Sequence, residues 1–409
     1  MTVIQQTKTL FDLAPLNPPD SIFGLLEQFK QDSRSDKVNL SVGVYQDESG
    51  QTPVLKCVRA AERIMLDAAG SKNYLPIDGS PAFNNAVGTL VLGAAVASNA
   101  NLHWATAQTP GGTVALRIAG ELLRRVFEVD TIWISNPTWA NHPQIFHAAG
   151  MTIQRYEYLN ANHTGLDFGR LIDSLAQAKS GQAILLHTVC HNPTGVDPTP
   201  EQWIELNTLI QQKGLFPIFD FAYQGFGVNL DEDSFPIRQF VESGGEALVC
   251  NSFSKNFGLY AERVGGVTAV AQRGSSGLAM RSQLQATIRT IYSNPPLHGG
   301  KIVETVLGDS ELRKQWEQEL TEIRHRILQL RAAFVATMAS MMPDRDFQYI
   351  NEQRGMFSYS GLTVNQVERL RSEYSIYALK DGRINIAGIN SNNLFPLCQA
   401  IANVVRPAD

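Results

Sequence analysis

A mostly parallel β-sheet wrapped by helices, followed by a second, smaller α+β unit, is the α/β architecture this 409-residue chain predicts. Three observations carry that expectation. The chain is too long for one small core, so two domains are the natural division. From about residue 105, short apolar runs alternate with amphipathic stretches, as strands alternate with helices in α/β proteins. Near residue 310 that rhythm stops, and apolar residues recur every three or four positions instead.

Taken in order, the opening 19 residues are polar, contain proline and end in "NPPD", which suits an extended arm. Asp20 or Ser21 then caps a helix with Ile22, Phe23, Leu25, Leu26 and Phe29 on its apolar side. "KVNLSVGVY" reads as a strand interrupted by Gly43. The strands of the main sheet are expected in "TIWISN", "MTIQRYEY", "AILLHTV", "LFPIFDFAY", "EALVCNSF" and "GVTAVA". "GTVALRIAGELLRRVF" and "TPEQWIELNTLIQQK" are helices between them. Leu312, Trp316, Leu320, Ile323, Ile327, Leu330, Phe334 and Met338 mark one long helix leaving this unit. "FQYI", "GMFSYSGL", a helix around "VNQVERLRSEY", a strand "RINIAG" and a closing helix make the second unit. The resulting division is an arm over 1–19, a large domain over 54–310, and a small domain from 20–53 and 311–409.

The bulk properties exclude several classes of function. A net charge of −5 and a pI near 5.9 give no electrostatic case for nucleic acid or an anionic membrane. No stretch approaches the roughly 20 apolar residues of a membrane span. The N-terminus lacks the basic start and apolar run of a signal peptide. Cys57, Cys190, Cys250 and Cys398 are scattered without a CxxC pair, which fits a reduced cytoplasm rather than a disulfide framework.

The chemistry gathers where strands end, which is where ligands of such sheets bind. "TPGGTVALRIAG" sets Gly111, Gly112 and Thr113 at a helix start, where free N–H groups favour a phosphate; a tight turn with a Thr cap is the plainer reading. Asp220 lies near the end of an apolar strand, and a carboxylate there needs a partner. Tyr223 follows three residues later. Asn192, Trp139 and His142 follow two other strands. Ser252, Ser254, Lys255 and Arg263 follow "EALVC", placing an amine beside a site for an anion.

Together, "SFSKNFGLYAERVGG", "CHNPTG", "FDFAYQGF", "TPGGTVALR", "NPTWANH", "YSNPP" and "GRINIAG" resemble the fold-type I aminotransferases that use pyridoxal 5'-phosphate. More narrowly, they resemble the aspartate/aromatic aminotransferase branch, from about Ile22 to the C-terminus and in the family's order. The resemblance implies a seven-stranded, mostly parallel sheet in the large domain. It implies that Lys255 bonds covalently to the cofactor aldehyde and later moves a proton to and from the substrate Cα. Arg263, Ser252, Ser254, Gly111, Gly112 and Thr113 would hold the phosphate. Asp220 would pair with the ring N–H, supported from behind by His142; Tyr223 and Asn192 would bond the phenolic oxygen, and Trp139 would stack on the ring.

For the substrate, the resemblance implies that Arg383 clamps the α-carboxylate, with Gly43, Trp139 and Asn192 beside it. Arg289 would bind the distal carboxylate of a dicarboxylic substrate. Arg289 and Tyr74 would reach into a neighbouring subunit, so the active species would be a homodimer. The implied reaction is ping-pong transamination between L-aspartate and 2-oxoglutarate. Asn73, Thr113 and Asn294 agree with an aspartate preference, whereas Gln46 and "QRGMFSYSGL" depart toward the aromatic branch. A tyrosine/phenylalanine aminotransferase is therefore the alternative. More distant are a decarboxylase or lyase on the same fold, a cofactor-binding protein without catalysis, and a metal-dependent hydrolase built on His187, Cys190 and His191 of "HTVCH". No metal is expected.

Overall fold

The computed structural model describes residues 9–406, apart from 17, 19, 21 and 273. Its strands are β1 (Val38–Asn39), β2 (His103–Thr109), β3 (Thr131–Asn136), β4 (Thr152–Glu157), β5 (Ala183–His187), β6 (Phe216–Phe221), β7 (Ala247–Ser252), β8 (Gly265–Ala271), β9 (Phe357–Tyr359), β10 (Ile376–Tyr377) and β11 (Arg383–Asn385). Seven of them form one sheet in the order β2-β8-β7-β6-β5-β3-β4, parallel throughout except for β8, which runs against both neighbours. The carboxyl ends of β3, β5, β6 and β7 therefore open on one edge of the sheet.

The main-sheet strand absent from the sequence expectation is β2, "HWATAQT", whose mixed polar and small residues show no apolar run. Glycines on neighbouring helices make room for its two bulky rings. A Cβ at Gly88, on helix Pro81–Leu92, would lie 2.1 Å from the Trp104 ring; one at Gly277, on helix Gly274–Ile291, would lie 2.8 Å from His103 Cβ. Side chains on successive strand residues face opposite ways, and the core divides accordingly. Ile184, Leu186, Phe219, Phe221 and Val249 pack on one face, whereas Ile132, Ile134, Leu185, Ile218, Leu248 and Cys250 pack on the other. Helix Gly112–Val126 covers the second face with Ala115, Leu116, Ala119 and Leu122. Asp220 shares that face.

Helix Ser310–Met341 has 32 residues, about 48 Å at 1.5 Å per residue. Asp309 caps it by accepting from the N–H groups of Glu311 and Leu312. Along it the buried stripe runs through Ile323, Ile327, Phe334 and Met338, with Leu330 packed partly buried at its margin as expected and Arg331 buried beside it, which was not. Near its start, Trp316 stacks on Phe257 with ring centroids 4.5 Å apart and donates from Nε1 to Asn256 O at 2.7 Å. The helix is thus docked on the segment that follows Lys255.

Beyond it, β9 and β11 pair antiparallel, with Phe357 opposite Asn385 and Tyr359 opposite Arg383. β1 pairs in parallel with β10, tying residues 38–39 to the C-terminal region. The expected strand "KVNLSVGVY" shrinks to β1, because the Asn385 side chain, rather than a ladder, satisfies the carbonyls of Val42 and Val44 at 2.8 Å each. Asp20 Oδ1 accepts from the Ile22 N–H before helix Phe23–Gln31, while Ser21 lies outside the described residues. Of the expected arm, residues 1–8, 17 and 19 also lie outside them; Phe11–Leu13 forms a single 3₁₀ turn.

Candidate active site

Strand register sets the floor of the site. His187 on β5 lies opposite Asp220 on β6, and Asp220 lies opposite Cys250 on β7. Asp220 Oδ2 stands 3.0 Å from Nε2 of fully buried His142. His142 Nδ1 lies 2.8 Å from Thr138 Oγ1, which lies 3.1 Å from His187 Nε2; the Asn192 N–H donates to His187 Nδ1 at 3.4 Å. One assignment of protons satisfies this whole chain, with both imidazoles neutral and each donor passing toward the carboxylate. Burial pushes His187 down to about 3, in keeping with that neutral form. Burial opposes ionisation of Asp220, yet its bond to His142 and the electrostatic influence of His142, His187 and, last, Lys255 hold its carboxyl below the ordinary value. A stable, largely buried anion results.

An anion cradle lies beside it. Gly111 has φ +82° and ψ 172°, a conformation essentially reserved for glycine, and a Cβ there would sit 2.4 Å from Arg263 Nη2. A Cβ at Gly112 would come within 3.1 Å of Ser252 Cβ. Arg263 Nη1 donates to Ser254 Oγ at 3.1 Å, and Ser252 Oγ donates to Ser254 Oγ at 3.1 Å. Thr113 is the second residue of the helix whose amino end opens here. A guanidinium, hydroxyls and helix N–H groups around Gly111 and Gly112 fit a phosphate.

Lys255 stands between cradle and carboxylate. Burial lowers its amine to about 8, with Arg263 and Arg383 adding to the effect and Asp220 opposing it. Its Nζ lies 4.8 Å from the centroid of the Tyr223 ring. An amine in this state is a usable nucleophile near neutral pH. The donor set therefore suits a phosphorylated aldehyde with a basic ring nitrogen: lysine for the aldehyde, Asp220 for the nitrogen, the cradle for the phosphate.

Arg383 is buried on the other side. Its Nη1 donates to Asn192 Oδ1 at 3.0 Å and its Nη2 to Ser41 O at 2.6 Å, while Nε has no partner among the described residues. A buried guanidinium with a spare donor is equipped to receive a carboxylate. Its carbon lies 4.0 Å from the centroid of the Phe357 ring, and a Cβ at Gly43 would lie 2.5 Å from Phe357 Cζ. Trp139, partly buried, meets His142 edge-on at 5.2 Å between ring centroids.

Two candidates lie elsewhere. Tyr74 is 93% exposed, and it rims a surface recess of about 520 Å³ with Leu75, Ile77, Arg289, Ser293 and Asn294. Arg289 bonds to Ser293 Oγ there. "HTVCH" also differs from expectation, because β5 ends at His187 and Cys190 takes a left-handed φ of +55°. Its histidines bond to protein hydroxyls, with His191 held by Ser135 and Thr194 at 2.9 and 2.8 Å. No group of three or more His, Cys, Asp or Glu able to hold a metal occurs among the described residues. Sequence reasoning missed Thr138, Ser41 and Phe357. Thr138 had a signal, lying four residues before His142 in "NPTWANH". The other two had none, since one acts through a carbonyl and the other reads as core.

The chain matches the family of class I and II aminotransferases over residues 35–401. It is 47% identical over 396 residues to an aspartate aminotransferase of Haemophilus influenzae, covering 97% of this chain and 100% of that one. It is 41% identical over 387 residues to an aromatic-amino-acid aminotransferase of Escherichia coli, covering 94% and 98%. A crystal structure of the aromatic-amino-acid aminotransferase of Burkholderia pseudomallei, covalently bound to pyridoxal phosphate, superimposes with a TM-score of 0.93 at 42% identity, covering 98% of this chain and 100% of that one. With its half-buried lysine, paired carboxylate and anion cradle set at the strand ends of that shared fold, the chain belongs to the class I and II aminotransferases.

Proposed function

We propose that the chain is an aspartate aminotransferase that binds pyridoxal 5'-phosphate at Lys255 and passes the amino group of L-aspartate to 2-oxoglutarate, releasing oxaloacetate and L-glutamate in two half-reactions. The observation that carries this reading is Lys255, a half-buried amine lowered to about 8 that feels both Arg263 of the cradle and Arg383 with its spare donor. Higher identity to aspartate than to aromatic relatives supports the dicarboxylate preference.

When bound, the cofactor supplies an electron sink for the substrate carbanion. Asp220, kept ionised against His142, holds the proton on the ring nitrogen. Tyr223 and Asn192 bond the phenolic oxygen, Trp139 covers the ring face, and Ser252, Ser254, Arg263, Gly111, Gly112 and Thr113 hold the phosphate. Lys255, freed by the incoming amine, carries the proton away from and back to the substrate Cα as a general base and acid. Arg383 orients the α-carboxylate beside Gly43.

Arg289 and Tyr74 serve a second copy of the chain. Their exposure together, away from Lys255 in their own chain, supports a homodimer with shared sites. The arm, small-domain and large-domain boundaries at 19–20, 53–54 and 310–311 belong to this same reading. No helix among the described residues is long and apolar enough to cross a membrane, and all four cysteines are free and buried, which supports a reduced cytoplasmic setting.

The test is the visible spectrum of the cofactor-loaded protein. L-aspartate should remove the band of the lysine-bound cofactor, and 2-oxoglutarate should restore it. A band untouched by aspartate but removed by phenylalanine would transfer the assignment to the aromatic branch, which "QRGMFSYSGL" favours. A loaded protein that answers neither donor would end the aminotransferase assignment.

A further inference from the structure

Arg331 projects from the long helix into the core and is 1% exposed. Burying a guanidinium is unfavourable unless its donors are met, and here one short segment meets those of both terminal nitrogens, Nε alone having no partner among the described residues. Its Nη2 donates to the carbonyls of Gly355 and Phe357 at 2.7 and 2.6 Å, and its Nη1 to the carbonyl of Ile350 at 3.2 Å and to Ser358 Oγ. These bonds fix the backbone that carries the Phe357 ring. The ring is 3% exposed and touches three parts of the site. Arg383 stacks over it at 4.0 Å, Gly43 leaves no room for a Cβ against it, and Tyr223 meets it edge-on at 6.2 Å.

We infer that Phe357, locked in place by Arg331, is the positioning residue that presents the Arg383 guanidinium to the substrate carboxylate. This rests on reading Arg383 as the carboxylate receptor. Asn192 and Ser41 hold the two terminal nitrogens of Arg383 but leave its plane free to tilt about them. An aromatic face beneath the guanidinium removes that freedom without consuming a donor. Glycine at position 43 lets the ring's far edge pack directly against backbone, where a Cβ would push it out of place. Arg331 never touches substrate; it sets the height of the ring.

The test uses the holoenzyme and succinate, a dicarboxylate with no amino group to transfer. Phe357→Leu should weaken succinate binding, read as a spectral titration, and raise KM for both the amino-acid donor and the oxo-acid acceptor. The cation–aromatic contact corresponds to about 3- to 30-fold in each. kcat should stay within about threefold, and cofactor content should be native. A protein carrying 2-thienylalanine at position 357, which keeps an aromatic face and adds no atom toward Gly43, should bind succinate as the native protein does. Arg331→Met should reproduce the Phe357→Leu pattern if it folds; should it not fold, the two variants at position 357 decide the matter. Native succinate binding in Phe357→Leu overturns the inference, and so does equal weakening in Phe357→Leu and the thienylalanine protein. Cofactor loss alongside a proportional fall in kcat overturns it too, because that pattern marks simple structural damage. If the unmodified protein transfers no amino group yet Phe357→Leu still weakens succinate, the functional assignment fails and the positioning role stands.

Discussion

Replacing Gly111 with alanine tests the anion cradle most directly, because two separate features of the structure oppose any side chain there. The backbone at φ +82° and ψ 172° is reserved for glycine, and holding alanine in it costs about 1–3 kcal/mol. The added Cβ would lie 2.4, 2.9 and 3.2 Å from Nη2, Cζ and Nη1 of Arg263, so the whole guanidinium must retreat by about an ångström to restore van der Waals contact. A displaced guanidinium loses its charge-assisted bonds to a phosphate, each about 1.5–3 kcal/mol. Arg263 is exposed, and solvent screening places the expected loss low in that range, at about 10- to 40-fold in the dissociation constant of pyridoxal phosphate. The assay is titration of cofactor-free protein with pyridoxal phosphate and, separately, with pyridoxal, which has no phosphate. Only the phosphorylated ligand should weaken. Equal weakening of both, or of neither, would refute the cradle.

Three further outcomes follow from the same geometry. The Lys255 amine is half neutral near pH 8, so capture of an aldehyde by the cofactor-free protein should rise about tenfold per pH unit below 8 and level off above it; a rate still climbing at pH 10 would show an ordinary lysine. His142→Ala removes a principal support of the ionised Asp220, whose depressed value adds stability above the unfolded carboxyl's value that is lost as pH falls. Urea unfolding of this variant should show about 1.5–3 kcal/mol less stability at neutral pH and a correspondingly smaller loss on acidification, because the folded carboxyl's value moves back toward the unfolded one; an unchanged acid limb would remove His142 from the network. Finally, Lys255→Ala and Arg289→Ala should each be nearly inactive toward aspartate alone. Refolded together they should regain about a quarter of native activity, because hybrid dimers assemble one intact site from two chains; a mixture as inactive as its components would remove the shared site.

Much of the site was readable residue by residue. Lys255, Asp220, Tyr223, Asn192 and Trp139 follow apolar strands in sequence, and strand ends in a parallel sheet converge on one edge. Gly111 was legible as a phosphate-turn glycine, although its contact with Arg263 was not, since the two are far apart in sequence and meet only when β8 pairs with β2. β2 escaped notice because "HWATAQT" has no apolar run, and the helix glycines that accommodate Trp104 and His103 answer to packing rather than to strand periodicity.

The long helix marks the boundary between the two kinds of information. Its length and its three-to-four-residue stripe are local properties, set by backbone geometry and visible in any window of the chain. That Arg331 is buried beside a Leu330 at the margin depends on what lies opposite, and four acceptors from residues 350–358 draw the arginine inward. The same is true of the relay from Asn192 through His187, Thr138 and His142 to Asp220, whose members come from two strands, a helix and the loops after β3 and β5. Strand ends and catalytic residue types are written along the chain because each needs only its near neighbours. A buried charge or a hydrogen-bond chain needs partners from distant segments, and only the folded arrangement supplies them.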